Sequence, residues 1–386
     1  MGNDEQLDAG RITRRAVLGG ALALASLPAV SRIAGAAPAF SSPGGGIDIS
    51  WLPALEAVGG RFVDSHGVVI DPMMLLRRGG IKFVRLRLWV YPSDGRSGLA
   101  EVTELAKRAQ RAGIKVGIDL HYSDTWADPG HQEIPASWQA LSYLELRQQV
   151  YEYTRDVIRH LVRNGVVPSV VQPGNEISNG LLWPVGQLKG DDPAAWRRIT
   201  GLLNSGIAGI RAATPRGRYI DTVLHLASTG DDAATSWFLS RARQYGLRPI
   251  DAVGLSYYPQ WHGDLAQLSK SLNAAARVTG KPVLIAETAY PWTTEKFAGW
   301  IVIDSSKLVG GYSATPAGQA AYVRNLWHVV RSVPGHKGVG IWWWEGLARD
   351  VSAAQQVLWS GGMQNATLVD VNGRAMPALA ALGSGH

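Results

Sequence analysis

The sequence predicts a closed barrel of eight parallel strands, each followed by a helix, and three observations carry that prediction. From about Gly46 onward, short β-rich runs alternate with longer stretches of helical period, which is the pattern of βα units around a parallel sheet. The strand candidates number eight, enough to close a (β/α)8 barrel instead of leaving an open sheet. Gly or Pro marks most junctions, as in Arg111-Ala112-Gly113 before the third strand and Gly280-Lys281-Pro282 before the seventh.

Taken in order, the chain opens on what reads as a removable leader over residues 1–36. Arg11, Arg14 and Arg15 precede an apolar run from Ala16 to Val30, and Ala34-Gly35-Ala36 supplies the small residues of a cleavage site. Thr13-Arg14-Arg15-Ala16-Val17-Leu18 is similar to a twin-arginine signal, which predicts export to the outside of the cell in the folded state. A membrane anchor is the bland alternative, but the run is short for about 30 Å of hydrocarbon. Residues 37–45, with Gly44-Gly45-Gly46 at their end, read as a flexible junction, and 46–386 as one catalytic barrel domain. The strands are placed at Gly46–Ser50, Lys82–Trp89, Lys115–His121, Ser169–Gly174, Arg218–His225, Ala252–Tyr257, Pro282–Glu287 and Gly338–Trp344. Helices are placed at Glu101–Ala112, Ser142–Arg163, Pro193–Ala212, Thr235–Tyr245, Gly263–Arg277 and Pro316–Val333.

Composition sets the class. With 386 residues, 46% apolar and 18% charged, the chain can bury a large core. It has no cysteine, so disulfides and thiolate metal sites are excluded and stability must come from packing. The formal charge is +7, yet Lys and Arg are scattered singly or in pairs, which argues against nucleic acid as a partner. Outside the leader no run reaches the roughly 18 apolar residues of a spanning helix. A monomer is the default. No phosphate-cradling Gly-rich turn follows a strand, and no Gly-x-Ser-x-Gly occurs, which excludes the dinucleotide-binding and α/β-hydrolase classes.

In such barrels, polar residues at the C-terminal strand ends face the active-site mouth. Two glutamates end two apolar strands: Glu176 follows Val170-Val171-Gln172-Pro173-Gly174-Asn175, and Glu287 follows Val283-Leu284-Ile285-Ala286. They lie about 110 residues apart, roughly three βα units of a barrel, which places them on strands four and seven. Two carboxyls across one mouth suit glycoside hydrolysis with retention of configuration, which needs a separation of roughly 5 to 5.5 Å. One must stay protonated for the leaving oxygen and the other ionised to attack the anomeric carbon. Glu176 is read as acid/base because Asn175 beside it offers an amide to the sugar 2-hydroxyl, and Glu287 as nucleophile, with Arg85 or Arg87 holding it ionised. The structural alternative for each glutamate is a barrel-end salt bridge. Of the 15 tryptophans, Trp126, Trp138, Trp183, Trp261, Trp292 and the run Trp342 to Trp344 fall near predicted loops. Flat rings there can stack on sugars, whereas others fill the core. His121 with His225 or His262 could hold a metal, but isolated histidines at barrel mouths more often hydrogen-bond a neighbour or substrate, so metal catalysis is not expected.

At this point the residues resemble glycoside hydrolase family 53, the endo-β-1,4-galactanases. The likeness rests on Gly46-Ile47-Asp48-Ile49-Ser50, Val84-Arg85-Leu86-Arg87-Leu88-Trp89, the run from His121 to Gly130, Gly174-Asn175-Glu176-Ile177-Ser178-Asn179-Gly180, the run from Ser256 to Gly263, and Ala286-Glu287-Thr288-Ala289-Tyr290-Pro291. The resemblance implies a (β/α)8 barrel acting with retention on β-1,4-galactan side chains of pectin, with Glu176 as acid/base and Glu287 as nucleophile. By the same carry-over, Asp48, Arg85, His121, Asn175, Tyr257, Trp261, His262, Trp344 and Glu345 would line the sugar sites. Two departures stand out: Pro173 replaces a residue able to donate its N–H, and Gly346-Leu347-Ala348 follows Glu345 where the family continues Pro-Ala-Trp, which bears on the outer subsites. Some members bind calcium after strand seven, but Thr294 to Pro316 holds only Glu295 and Asp304 as acids, so neither calcium nor any other cofactor is expected. Rival readings are a related hydrolase of mannan or glucan, with the same carboxyl pair, and a secreted carbohydrate-binding barrel that has lost catalysis.

Overall fold

The computed structural model describes residues 39–41, 43–227, 229–296, 303–348 and 363–385. The leader at 1–36 lies outside the described residues. Eight strands form the predicted closed barrel: β1 (Gly44–Asp48), β2 (Phe83–Leu88), β3 (Lys115–Leu120), β4 (Val170–Pro173), β5 (Asp221–Leu226), β6 (Ala252–Tyr257), β7 (Val283–Thr288) and β8 (Gly338–Trp343). All neighbouring pairs are parallel, and β1 closes the ring by pairing with both β8 and β2. A helix follows each strand: α1 (Pro72–Arg78), α2 (Leu99–Arg111), α3 (Tyr143–Arg163), α4 (Pro193–Ala213), α5 (Asp232–Gln244), α6 (Leu265–Thr279), α7 (Pro316–Arg331) and α8 (Pro377–Ser384).

Helix starts follow local chemistry. Asp71, Asp192, Asp231 and Thr315 accept hydrogen bonds from first-turn N–H groups, and Pro stands at the start of α1, α4 and α7. Ser142 with Glu145, and Asp264 with Gln267, form reciprocal capping boxes on α3 and α6. The six anticipated helices are present with shifted ends. The sequence pattern did not reveal α1 and α8, because seven and eight residues of largely apolar chain are too short to display a helical period.

One boundary is corrected. Gly44 and Gly45 belong to β1, not to a flexible junction, and the glycines answer to packing. A Cβ on Gly45 would stand 2.2 Å from the Leu382 carbonyl oxygen, and one on Gly46 would stand 2.2 Å from Trp342 Cδ1. The first strand is thus squeezed between α8 outside and the Trp342 indole inside the barrel.

Two layers fill the barrel interior. The lower one is apolar: Phe83, Val170, Val223, Ala252, Leu284, Val339 and Trp342 pack together, with Phe40 beneath, its ring 5.8 Å from that of Phe83. Strand side chains alternate, so residues two further along stand one layer up. That places Arg85 above Phe83, Gln172 above Val170 and His225 above Val223. The upper layer is therefore polar, and it forms the floor of the site.

Candidate active site

Arg85 occupies the centre of this floor and is 2% exposed. Its Nε donates to Gln172 Oε1 at 2.9 Å, and Nη1 to Asp48 Oδ2 at 3.0 Å. Nη2 donates to Asp119 Oδ2 at 2.8 Å and to Asn175 Oδ1 at 2.7 Å, and it pairs with Glu287 Oε1 at 2.7 Å. One guanidinium thus joins strands β1, β2, β3, β4 and β7. Burial alone would favour its neutral form, but Asp119, Glu287 and Asp48 outweigh it and raise its pKa further. Asp119 is likewise pushed up by burial, yet Arg85 and then His121 hold it down at about 2.

A bulge delivers Glu287 to this position. Strand alternation puts Leu284 and Ala286 on the inner side, which would turn Glu287 outward toward the helices. The register between β6 and β7 slips after Leu255 opposite Ile285, so that Ser256 faces Glu287. The extra residue re-aims the carboxylate inward, onto Arg85. Its second oxygen accepts a hydrogen bond of 3.0 Å from Tyr258 Oη.

Glu176 reaches the cleft by a different device. The chain leaves β4 through Gly174, with φ at 94°, and Glu176 itself sits in the left-handed region at φ 47° and ψ 47°. Among the described residues it has no ion pair, in contrast to Glu287. Burial and then the Glu287 charge push its carboxyl up to about 8. Burial also raises Glu287, but Arg85 opposes that. The proton of this coupled pair therefore belongs on Glu176, the member that Arg85 does not touch directly. The histidines nearby are neutral. His121 Nδ1 accepts from the Trp89 indole N–H at 3.2 Å and the Ala127 N–H at 3.0 Å, so its Nε2 donates to Asp119 at 3.0 Å. Burial lowers His225 to about 3 and His262 to about 4.

The two glutamates line one cleft of about 530 Å³. Of the nine residues expected beside them, Arg85, His121, Asn175, Trp261, His262 and Trp344 line it too. Asn175 is held at both ends, by Arg85 on Oδ1 and by the Ala127 carbonyl oxygen at 2.7 Å from Nδ2, which leaves one amide hydrogen uncommitted by that bond.

The other three are corrected. Asp48 lies beneath the cleft, with Oδ2 taken by Arg85 and Oδ1 by the Ser50 N–H and hydroxyl. Tyr257 faces the helix layer because it alternates with inward Ser256, and its hydroxyl donates to the Gly263 carbonyl oxygen at 2.9 Å. Glu345 is 2% exposed and accepts from Arg87 Nη1 at 3.1 Å and the Trp51 N–H at 3.2 Å. Of the two arginines offered as partners of Glu287, only Arg85 makes the contact. Arg87 instead lies 4.1 Å from the Trp126 ring centroid and 5.0 Å from that of Trp89.

Sequence reasoning also missed Tyr258 and Asp128, both of which line the cleft. Parity with Ser256 could have revealed Tyr258. Asp128 sits on an irregular loop, where no period applies. As for a metal, no three Asp, Glu, His or Cys side chains converge among the described residues, and the carboxylate of Asp304 is engaged by Ser306 and Lys307.

A closed parallel barrel with two buried carboxyls in one aromatic-lined cleft, one of them paired with an arginine, has the build of a glycoside hydrolase. Residues 44–382 match the family model of glycosyl hydrolase family 53, and the chain belongs to that family. Among curated relatives, the arabinogalactan endo-β-1,4-galactanase of Cellvibrio japonicus is 35% identical over 86% of this chain and 88% of its own length. Among solved structures, the family 53 catalytic domain of Ignisphaera aggregans superposes with a TM-score of 0.80 at 32% identity, covering 90% of this chain and 96% of that one. A fungal β-1,4-galactanase superposes with a TM-score of 0.77 at 30% identity, covering 87% of this chain and 98% of the other.

Proposed function

We propose that the chain is an endo-acting β-1,4-galactanase that works with retention on galactan side chains of pectin, and that it is exported, by the twin-arginine route, as a monomer. The observation that carries the mechanism is the unequal treatment of the two carboxyls: Glu287 is bound by Arg85 and Tyr258, while Glu176 is raised to about 8. Glu287 attacks the anomeric carbon while Glu176 protonates the departing galactosyl oxygen. The negative charge of Glu287 is spent in forming the glycosyl-enzyme, so the repulsion that kept Glu176 protonated falls. Glu176 can then act as base and draw a proton from water. Trp261 and Trp344 provide ring faces beside the reacting sugar.

The galactanase relatives support the substrate, and the leader motif supports the export route. Reducing-sugar release from β-1,4-galactan, set beside mannan and glucan, tests the substrate. Proton NMR of the first-formed anomer tests retention: a β anomer is expected, and an α anomer would remove the covalent step. Release from another β-linked polysaccharide but not from galactan would overturn the specificity.

A further inference from the structure

Glu176 occupies a backbone conformation that few non-glycine residues adopt, so its surroundings must hold it there. The peptide joining Asn175 to Glu176 sets the direction in which the Glu176 side chain leaves the backbone. Its carbonyl oxygen accepts a 2.8 Å hydrogen bond from Gln132 Nε2, and the same nitrogen donates to the Asp128 carbonyl oxygen at 3.0 Å. Gln132 is 2% exposed, and its Oε1 has no partner among the described residues. The amide has one usable orientation, because a flip would set an oxygen against two carbonyl oxygens and turn the N–H groups away from any acceptor. Two further bonds run parallel to it: Asn175 Nδ2 to the Ala127 carbonyl oxygen, and Asn179 Nδ2 to that of Pro129 at 2.9 Å. Gln132 is itself anchored, its own carbonyl oxygen accepting the Trp183 N–H at 2.7 Å.

We infer that Gln132 is a positioning residue for the acid/base. It fixes the Asn175–Glu176 peptide so that the Glu176 carboxyl stands at the leaving oxygen, and it makes that turn and the Asp128 loop one unit. The inference rests on the proposed role of Glu176. Gln132 is buried and does not line the cleft, and it acts only through the geometry of its neighbour.

The signature of such a role is dependence on the leaving group. A departing sugar needs a proton and a dinitrophenolate does not, so a misplaced acid slows only the first. General damage to the fold slows both alike. The test compares wild type with Gln132→Leu and, should that variant fold poorly, with Gln132→Met, whose unbranched side chain fits the same space without a donor. kcat/KM is measured on β-1,4-galactan and on 2,4-dinitrophenyl β-galactobioside, and the Glu176 carboxyl is titrated by carbon-13 NMR, with Glu176→Gln identifying its signal. The expected result is a loss of about 10- to 100-fold on galactan, a change of less than about threefold on the aryl substrate, and a Glu176 titration moved downward as water enters the loosened turn. Equal losses on both substrates, or no loss on galactan, overturn the inference. A wild-type chain inert on galactan would remove the substrate reading alone. The NMR titration then decides the role of Gln132, and an unmoved signal overturns it.

Discussion

The lower and upper halves of the barrel interior are built from the same strands and could hardly differ more. Two residues along β2 the interior changes from the Phe83 ring to the Arg85 guanidinium, and along β5 from Val223 to His225. Below, nonspecific apolar contact suffices, and any side chain of the right volume can serve. Above, every charge needs a partner at a fixed place, because an unpaired ion in that position costs several kcal/mol. The lower layer serves packing and the upper layer chemistry, with one residue, Arg85, joining most of the strands that form the mouth.

The largest effect should come from the mouth. Glu287→Ala is expected to lower kcat on galactan by more than about 10⁴-fold while leaving thermal unfolding largely unchanged, as activity assays and calorimetry on the same sample would show. Arg85→Met should damage both halves of the comparison. It strands Asp48, Asp119 and Glu287, and urea titration should record a loss of about 3–5 kcal/mol together with collapse of activity.

Trp342→Ala sharpens the contrast, since it opens a void in the lower apolar layer and should cost a similar 3–5 kcal/mol or so. The folded fraction should keep its kcat and its pH profile. If Trp342→Ala and Arg85→Met damage activity equally per folded molecule, the separation of the two layers is wrong.

A subtler effect follows from Glu176. Its folded pKa lies above its unfolded value, so the unfolded chain ionises first as pH rises. The native state is then progressively penalised between about pH 4.5 and about pH 8. Glu176→Gln should therefore raise Tm at pH 7.5 relative to wild type, and the two should converge at pH 4. A constant difference across that range would place the carboxyl outside the coupled pair. The smallest effect is expected at the rim: Trp261 is 62% exposed and meets Tyr258 edge-on at 5.3 Å. Trp261→Ala should raise KM by about 2- to 12-fold, the value of one ring contact, with kcat unchanged.

The two kinds of site residue differ in how visible they were. Glu176 and Glu287 are legible in the sequence alone because each ends an apolar run, and strand ends are where barrels keep their chemistry. Six of the nine residues expected to accompany them reach the cleft. Asp48 does not because Arg85 covers it, and Tyr257 and Glu345 do not because of the direction in which they leave the chain. Membership in a motif says that a residue is near the mouth, whereas alternation, bulges and left-handed turns decide which way it points. Tyr258, and not Tyr257, reaches Glu287 for that reason. Gln132 left no trace in the pattern, since a glutamine in a loop has no period and the partner that links it to Glu176, the Asn175 carbonyl oxygen, lies 43 residues away.

By itself, the sequence determined the barrel, the order of its strands and the places of the two carboxyls. These depend on local periodicity and on where each apolar run ends, which are properties of neighbouring residues. Only the tertiary structure decided that Arg85 serves Glu287 while Arg87 serves Glu345, that a one-residue slip in β7 turns Glu287 inward, and that Glu176 is the carboxyl left with its proton. Those outcomes depend on distances between strands far apart in the chain and on the loss of water around a charge, and neither exists until the barrel has closed.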